Sequence, residues 1–261
     1  MEKLQIKSVI IDTLNNVQNT EMVKVLKVKK TTYDDWRDWG VDISYLMYRL
    51  QEIGFEVVLV LGFEGSGKTY GIKTLNLGEY VWFNTDKKNA TFLKLDEAGK
   101  PDKNFKRLYG TKSTPGPLMK VHGGYTPKGE VLPISFDSIV KDCDALQKGI
   151  KTPDFEIILA PNPVAFLIGH LAEVKGPNGE IRLALKVLGK MPTKMQIAGL
   201  VETCLISEMK IEGNKPIGSF LTQNDGTTTA RSPEGMFPSV YIPNDYQYVV
   251  NAIDNYRALY D

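Results

Sequence analysis

Histidine is nearly missing from this 261-residue chain. Only His122 and His170 occur, which excludes a histidine-built metal centre but not a hard cation held by hydroxyl, carboxylate and phosphate oxygens. Cysteine is equally scarce: Cys143 and Cys204 fall in no C-x-x-C or zinc-like spacing. No signal-like leader and no apolar run of about 18 residues stands out, so the expectation is a reduced, cytoplasmic compartment and no membrane partner. An excess of charge is missing too. Lys plus Arg number 32 against 31 Asp plus Glu, so no global field steers the chain to nucleic acid, and a polyanion site must be a local patch. Internal repeats and low-complexity linkers are absent.

What is present is ordinary globular composition, 42% hydrophobic and 24% charged, over a length that allows one large domain. The expectation is a single α/β domain over 1–261, read as an Asp-bearing strand and helix (1–54), a core (55–200) and a hairpin with a closing helix (201–261). Ser8 to Ile11 (SVII) reads as a buried strand stopping at Asp12-Thr13. Tyr33 to Ile53 carries Trp36, Trp39, Ile43, Leu46 and Leu50 at helical spacing, with Gly54 placed to stop it. Phe55 to Leu61 (FEVVLVL) is a second buried strand, with a glycine-rich turn and a helix from near Lys68 after it. Val81 to Phe83 and Ala165 to Gly169 read as further strands, and Ser138 to Gly149 as a helix. Asp96 to Gly129 shows no clear period and reads as long loops. Strands alternating with helices predict a mostly parallel sheet covered on both faces. In the last third, Val201 to Ile211 and Ile217 to Thr222 flank Glu212-Gly213-Asn214 as a hairpin, Asn224-Asp225-Gly226 marks a turn, and Asp245 to Tyr256 closes as a helix.

Gly62-Phe63-Glu64-Gly65-Ser66-Gly67-Lys68-Thr69 matches G-x-x-x-x-G-K-[ST], with Tyr70 next in the chain. A random chain of this length meets the fixed positions with a probability of ~1%, and the preceding strand with the helix expected after the loop leaves a chance turn at about a few per cent at most. The glycines let the backbone turn its N–H groups toward phosphates, Lys68 reaches the β and γ phosphates of a nucleoside triphosphate such as ATP, and the Thr69 hydroxyl binds Mg²⁺. Hydrolysis needs in addition a carboxylate at a neighbouring strand end to orient a water in the metal shell. Asp12, after SVII, is preferred over Asp137, whose segment PISFDS is broken by Pro and Ser and runs into a helix. Asp86, after the VWF strand, either positions the attacking water or caps a turn before Lys87-Lys88. His170, at the end of AFLIG, either senses the γ-phosphate or is a structural polar residue.

Beyond GFEGSGKT, the stretches SVIIDTLNN with the later YDDWRDWG, VWFNTDKKNATF, FLIGHLAEV, LGKM, TQNDGTTTARSPEGMFP and YIPNDYQYVVNAIDNY together resemble the short RecA-like ATPases of bacteriophages, including the Sak-type single-strand annealing and recombination proteins. The resemblance implies a RecA-like P-loop fold, assembly into a homo-oligomeric ring or filament with nucleotide between subunits, and residence in the host cytoplasm. It also implies a basic residue from a neighbour at the γ-phosphate, for which Arg231 in TARSPEG is the candidate and Lys190 and Lys194 are weaker ones. One departure stands out. In such proteins the phosphate loop normally precedes the Asp-bearing strand, whereas SVIIDT here precedes GFEGSGKT. Either the block has moved or Asp137 is the metal-site carboxylate.

The leading reading is an ATPase of phage DNA recombination or replication that binds single-stranded DNA. Lys100, Lys103, Lys106, Arg107, Lys112, Lys120 and Lys128, interleaved with Phe105, Tyr109 and Tyr125, suit backbone contact plus base stacking, or form an ordinary solvated loop. An NTPase or kinase unrelated to DNA, and a nucleotide-dependent assembly or virion protein, are the other readings.

Overall fold

Runs of β-branched and large apolar residues become the central strands because both sides of each strand can be buried. The computed structural model describes residues 1–15, 17, 33–85, 102–111, 113–121, 135–175, 179–186 and 197–260, with the backbone alone for 33–42. In chain order, the described strands are β1 (Glu2–Asp12), β2 (Glu56–Gly62), β3 (Tyr80–Asn84), β4 (Met119–Val121), β5 (Ile150–Lys151), β6 (Phe155–Lys175), β7 (Ile181–Leu185), β8 (Thr203–Glu212), β9 (Lys215–Leu221) and β10 (Tyr241–Pro243). The described α-helices are α1 (Tyr33–Ile53), α2 (Lys103–Tyr109), α3 (Phe136–Lys148) and α4 (Tyr246–Arg257).

The strands form one mixed sheet in the order β10-β9-β8-β2-β6-β1-β3-β4, with β5 and β7 paired to β6. From β8 to β4 every pairing along this path is parallel, and the antiparallel pairs lie at the β8-β9-β10 edge and where β5 and β7 meet β6. The fold is therefore α/β with a mostly parallel sheet. Successive strand residues point to opposite faces. Val9 to Asp12, Val58 to Leu61 and Ala165 to Ile168 are all 0% exposed, so the middle of the sheet is covered on both faces.

Several boundaries differ from the sequence reading. β1 and β6 run well past their apolar centres because pairing continues through polar residues, and β6 continues into an antiparallel pairing with β7. The stretch read as loops from Asp96 to Gly129 contains α2 and β4 among its described residues. Asp102 caps α2 by accepting from the N–H groups of Asn104 and Phe105, and Phe105, Leu108 and Tyr109 are buried. α2 has only seven residues, too few for its period to stand out. The hairpin forms as read: Glu212 pairs with Lys215 across Gly213-Asn214, and Gly213 at φ 61° occupies the position where a type II′ turn requires a left-handed residue. Asp245 caps α4, accepting from Tyr248 N–H at 2.9 Å. Among the described residues no helix is long and apolar enough to cross a membrane.

Both cysteines lie in the core, Cys143 on α3 and Cys204 on β8, and burial pushes their thiols up, that of Cys204 to about 12. Because the folded-state values lie above the unfolded ones, both thiols stay protonated until well into the alkaline range. A neutral disulfide reagent at pH 8 is expected to label neither in the native chain and both in urea; rapid native labelling would contradict this packing.

Candidate functional site

The carboxyl ends of the central parallel strands bring the polar residues of this chain together. β2 ends at Gly62, β6 passes Gly62 at His170, and β1 ends at Asp12 level with Asn84 of β3 and Ile168 of β6. One strand, β6, stands between the strand that feeds the glycine-rich loop and the strand that ends in Asp12. Loop and carboxylate nevertheless meet. The Thr69 hydroxyl lies 3.2 and 3.1 Å from the two oxygens of Asp12, a residue with 0% exposure. Asp137 is exposed in the first turn of α3, whose capping box is made by Ser135 and Ser138. Of the two alternatives, Asp12 is the carboxylate that faces Thr69.

The loop is tightly drawn. Lys68 is 6% exposed, and its ammonium donates to the carbonyls of Gly62 and Phe63 at 2.7 Å each and to Ser66 Oγ at 3.4 Å. A Cβ on Gly62 would sit 2.3 Å from Ser66 Oγ and 2.8 Å from the Ser207 carbonyl, so only glycine fits where β2 turns into the loop. Gly67, at φ 86°, has the left-handed backbone that glycine tolerates. Phe63, Glu64 and Gly65 form the exposed rim. The helix expected from near Lys68 is instead a 3₁₀ turn, Tyr70–Thr74. Leu75 leaves it in extended conformation, and Gly78 soon turns the chain into β3, so there is no room for a long helix between β2 and β3. Tyr70 is 52% exposed beside the loop, with the Lys73 ammonium 3.5 Å from its ring centroid.

Asp12 is held from behind. The Asp12–Thr13 peptide bond is cis. Thr85 N–H donates to Asp12 O at 2.9 Å, and the Thr85 hydroxyl accepts from Thr13 N–H at 2.6 Å and donates to Thr13 O at 2.9 Å. Asn15 links this segment to β6 and β7: its side-chain oxygen accepts from His170 N–H at 2.8 Å, and its amide donates to Lys186 O at 2.5 Å. His170 is thus placed by its own backbone, half-buried beside Gly62.

The other predicted residues divide. Arg231 is exposed, and its main chain pairs with Cys204. Cys204 lies three residues before Ser207, hence about 10 Å down β8 from the loop. The main chain of Arg231 therefore lies down the strand from the loop. Phe105 and Tyr109, read as base-stacking candidates, are core residues: Tyr109 stacks on Tyr80 at 4.7 Å and on Phe105 at 4.9 Å, and its hydroxyl donates to Tyr80 O. Arg107 is engaged with Glu2 at 2.7 and 3.2 Å. Lys103 and Lys106 remain exposed. Asp86, Lys190, Lys194, His122, Lys100, Lys112, Tyr125 and Lys128 lie outside the described residues.

Sequence reading missed Thr85, Asn15, Ser207, Asn244 and Tyr246. The last three donate to the loop's carbonyls, Ser207 Oγ to Ser66 O at 2.7 Å, Asn244 Nδ2 to Gly67 O at 3.2 Å and Tyr246 OH to Lys68 O at 2.8 Å. Their roles arise from contacts between segments far apart in the chain.

The residues present suit a hard cation: a hydroxyl beside a buried carboxylate, with further oxygens to come from phosphate and water. No group of three or more His, Cys, Asp or Glu capable of holding a metal by itself occurs among the described residues. Thr85→Val should cost about 1–3 kcal/mol by leaving buried Thr13 polar groups unpaired, whereas Thr85→Ser keeps the hydroxyl and should cost under about 1 kcal/mol; urea denaturation compares them. No family model, curated protein or solved structure matches this chain.

Proposed function

We propose that this chain is a Mg²⁺-dependent P-loop ATPase of the RecA-like kind, acting as an oligomer on single-stranded DNA in phage recombination or replication. The observation that carries the ATP-binding part is the contact of Thr69 with the buried Asp12 carboxylate, beside a lysine wrapped in a glycine-turned loop. Nucleotide chemistry of this type is mostly positioning and charge stabilisation, and these residues offer both.

In this reading, the main-chain N–H groups of the loop bind the β and γ phosphates. Lys68 exchanges its bonds to Gly62 and Phe63 for the phosphate oxygens, which are stronger acceptors. Thr69 and Asp12 would hold Mg²⁺, whose charge would offset that of the phosphate oxygens. Asp86, two residues beyond Asn84, is the candidate base for the attacking water, and His170 stands at the γ-phosphate end. Arg231, exposed, is available to a neighbouring subunit. Exposed Lys103 and Lys106 supply DNA-backbone contacts, while the base-stacking part of that interface falls to residues other than Phe105 and Tyr109.

Lys68→Ala is expected to abolish ATP binding in a folded chain, and unchanged affinity would refute the site. Asp12→Asn should retain nucleotide and lower Mg²⁺-dependent hydrolysis about 10- to 100-fold, while Arg231→Ala should lower turnover by about 10³-fold. Asp137→Asn should leave turnover unchanged. Hydrolysis measured with and without single-stranded DNA across a salt series tests the partner: stimulation that fades steeply with salt supports DNA. Assembly that requires ATP but survives loss of turnover would favour the nucleotide-dependent assembly protein.

A further inference from the structure

The glycine-rich loop has little helix of its own to rest on. Beyond Thr69 the chain makes only a 3₁₀ turn of five residues, too short to supply an α-helical ladder. That turn reaches back with Gly71 N–H to Gly67 O at 3.0 Å and Ile72 N–H to Thr69 O at 3.2 Å, and further support comes from the far end of the chain. Ser207 on β8, Asn244 after β10 and Tyr246 at the start of α4 each donate to one of three consecutive carbonyls, those of Ser66, Gly67 and Lys68. A trans peptide unit is planar, with its N–H pointing opposite to its C=O. Fixing these oxygens against the carboxyl-terminal ribbon therefore turns the N–H groups of Gly67, Lys68 and Thr69 away from it.

We propose that Ser207, Asn244 and Tyr246 are positioning residues for the polyphosphate site, holding the loop so that its N–H groups are already presented before a triphosphate arrives. The inference rests on the phosphate-loop reading and deepens it. The three donors are themselves fixed, Ser207 as a buried residue of β8 paired with Phe220 of β9. Tyr246 is fully buried, its ring edge-on to Phe166 at 4.8 Å and to Phe220 at 5.5 Å, and its N–H donates to Thr74 Oγ1 at 2.9 Å. Asn244 N–H donates to Gly218 O at 3.1 Å, which ties it to the β8-β9 hairpin. The 3₁₀ turn sits directly on the pair: a Cβ on Gly71 would lie 2.2 Å from Asn244 Oδ1 and 2.8 Å from the Tyr246 ring. Burial, with the nearby Asp12 carboxylate, holds the Tyr246 phenol well above its usual range, so it remains a donor at neutral pH.

A cradle that must be ordered by its ligand binds more weakly than one already formed. Tyr246→Phe keeps the ring contacts and removes one donor, Ser207→Ala removes another, and Asn244→Asp keeps the shape but cannot donate to Gly67 O. Each is expected to weaken Mg²⁺-ATP binding about 3- to 10-fold, and Tyr246→Phe with Ser207→Ala about 10- to 100-fold. Calorimetric titration of the full chain with ATP and with ADP reads this. Hydrogen–deuterium exchange provides the second readout: uptake should rise in peptides covering 62–74 and stay at the wild-type level in β1 and β6. A purely structural role would lower the melting temperature without changing the affinity of the folded protein. Affinity within two-fold of wild type in the folded double variant, with the loop equally protected, overturns the proposal while Lys68→Ala still abolishes binding. Should the double variant not fold, the single variants decide by the same comparison. Wild-type protein that binds no ATP, or a Lys68→Ala variant that binds it normally, brings down the phosphate-loop reading, and the positioning proposal with it.

Discussion

A carboxylate removed from solvent at the end of a central strand must find compensation within the protein, and in this chain the Thr69 hydroxyl meets both of its oxygens. That constraint explains much of the local arrangement. Asp12 stands on β1 and Thr69 on the loop after β2, with β6 between the two strands, so the loop must lean across the end of β6 for the contact to form. The glycines permit the bend, Lys68 fills the loop from inside, and Thr85 and Asn15 fix the segment on which the carboxylate stands.

The sheet was legible wherever burial on both faces wrote itself as an unbroken apolar run: SVII, FEVVLVL, VWF and AFLIG all mark central strands. The hairpin and closing helix were legible because Gly213 and Asp245 act locally, through a turn and a cap. Strand ends were not, since backbone pairing carries β1 and β6 through polar residues whose types say little about conformation. α2 was missed because two helical turns show no period, and its aromatic residues therefore passed for surface residues when they belong to the core.

In the site, the glycine-lysine-threonine motif was legible because its residue types are dictated by backbone geometry and charge. Asp12 was legible as a strand-ending acid, and of the two candidate carboxylates it is the one that meets Thr69. The supporting layer was invisible. Ser207 is one of several polar residues on β8, and Asn244 and Tyr246 look like the ordinary start of a helix; their meaning comes from the side-by-side placement of segments more than 130 residues apart in the chain. The helix expected after the loop reflects a common association between such loops and helices, which the short span before Gly78 and β3 overrides.

Strand order also governs how the molecule can assemble itself. β1 has its sheet neighbours at residues 80–84 and 155–168, and β2 reaches β1 only through β6. Pairings between segments so remote require large loops to close before any contact rewards them, which slows folding of parallel sheets. Until β6 is laid down, the amino-terminal strand and the glycine loop remain strangers, each with an unpaired edge. On a ribosome, the chain must therefore carry an open, apolar β1 through the synthesis of some 150 further residues, a window in which a chaperone or another copy of the same strand competes for it.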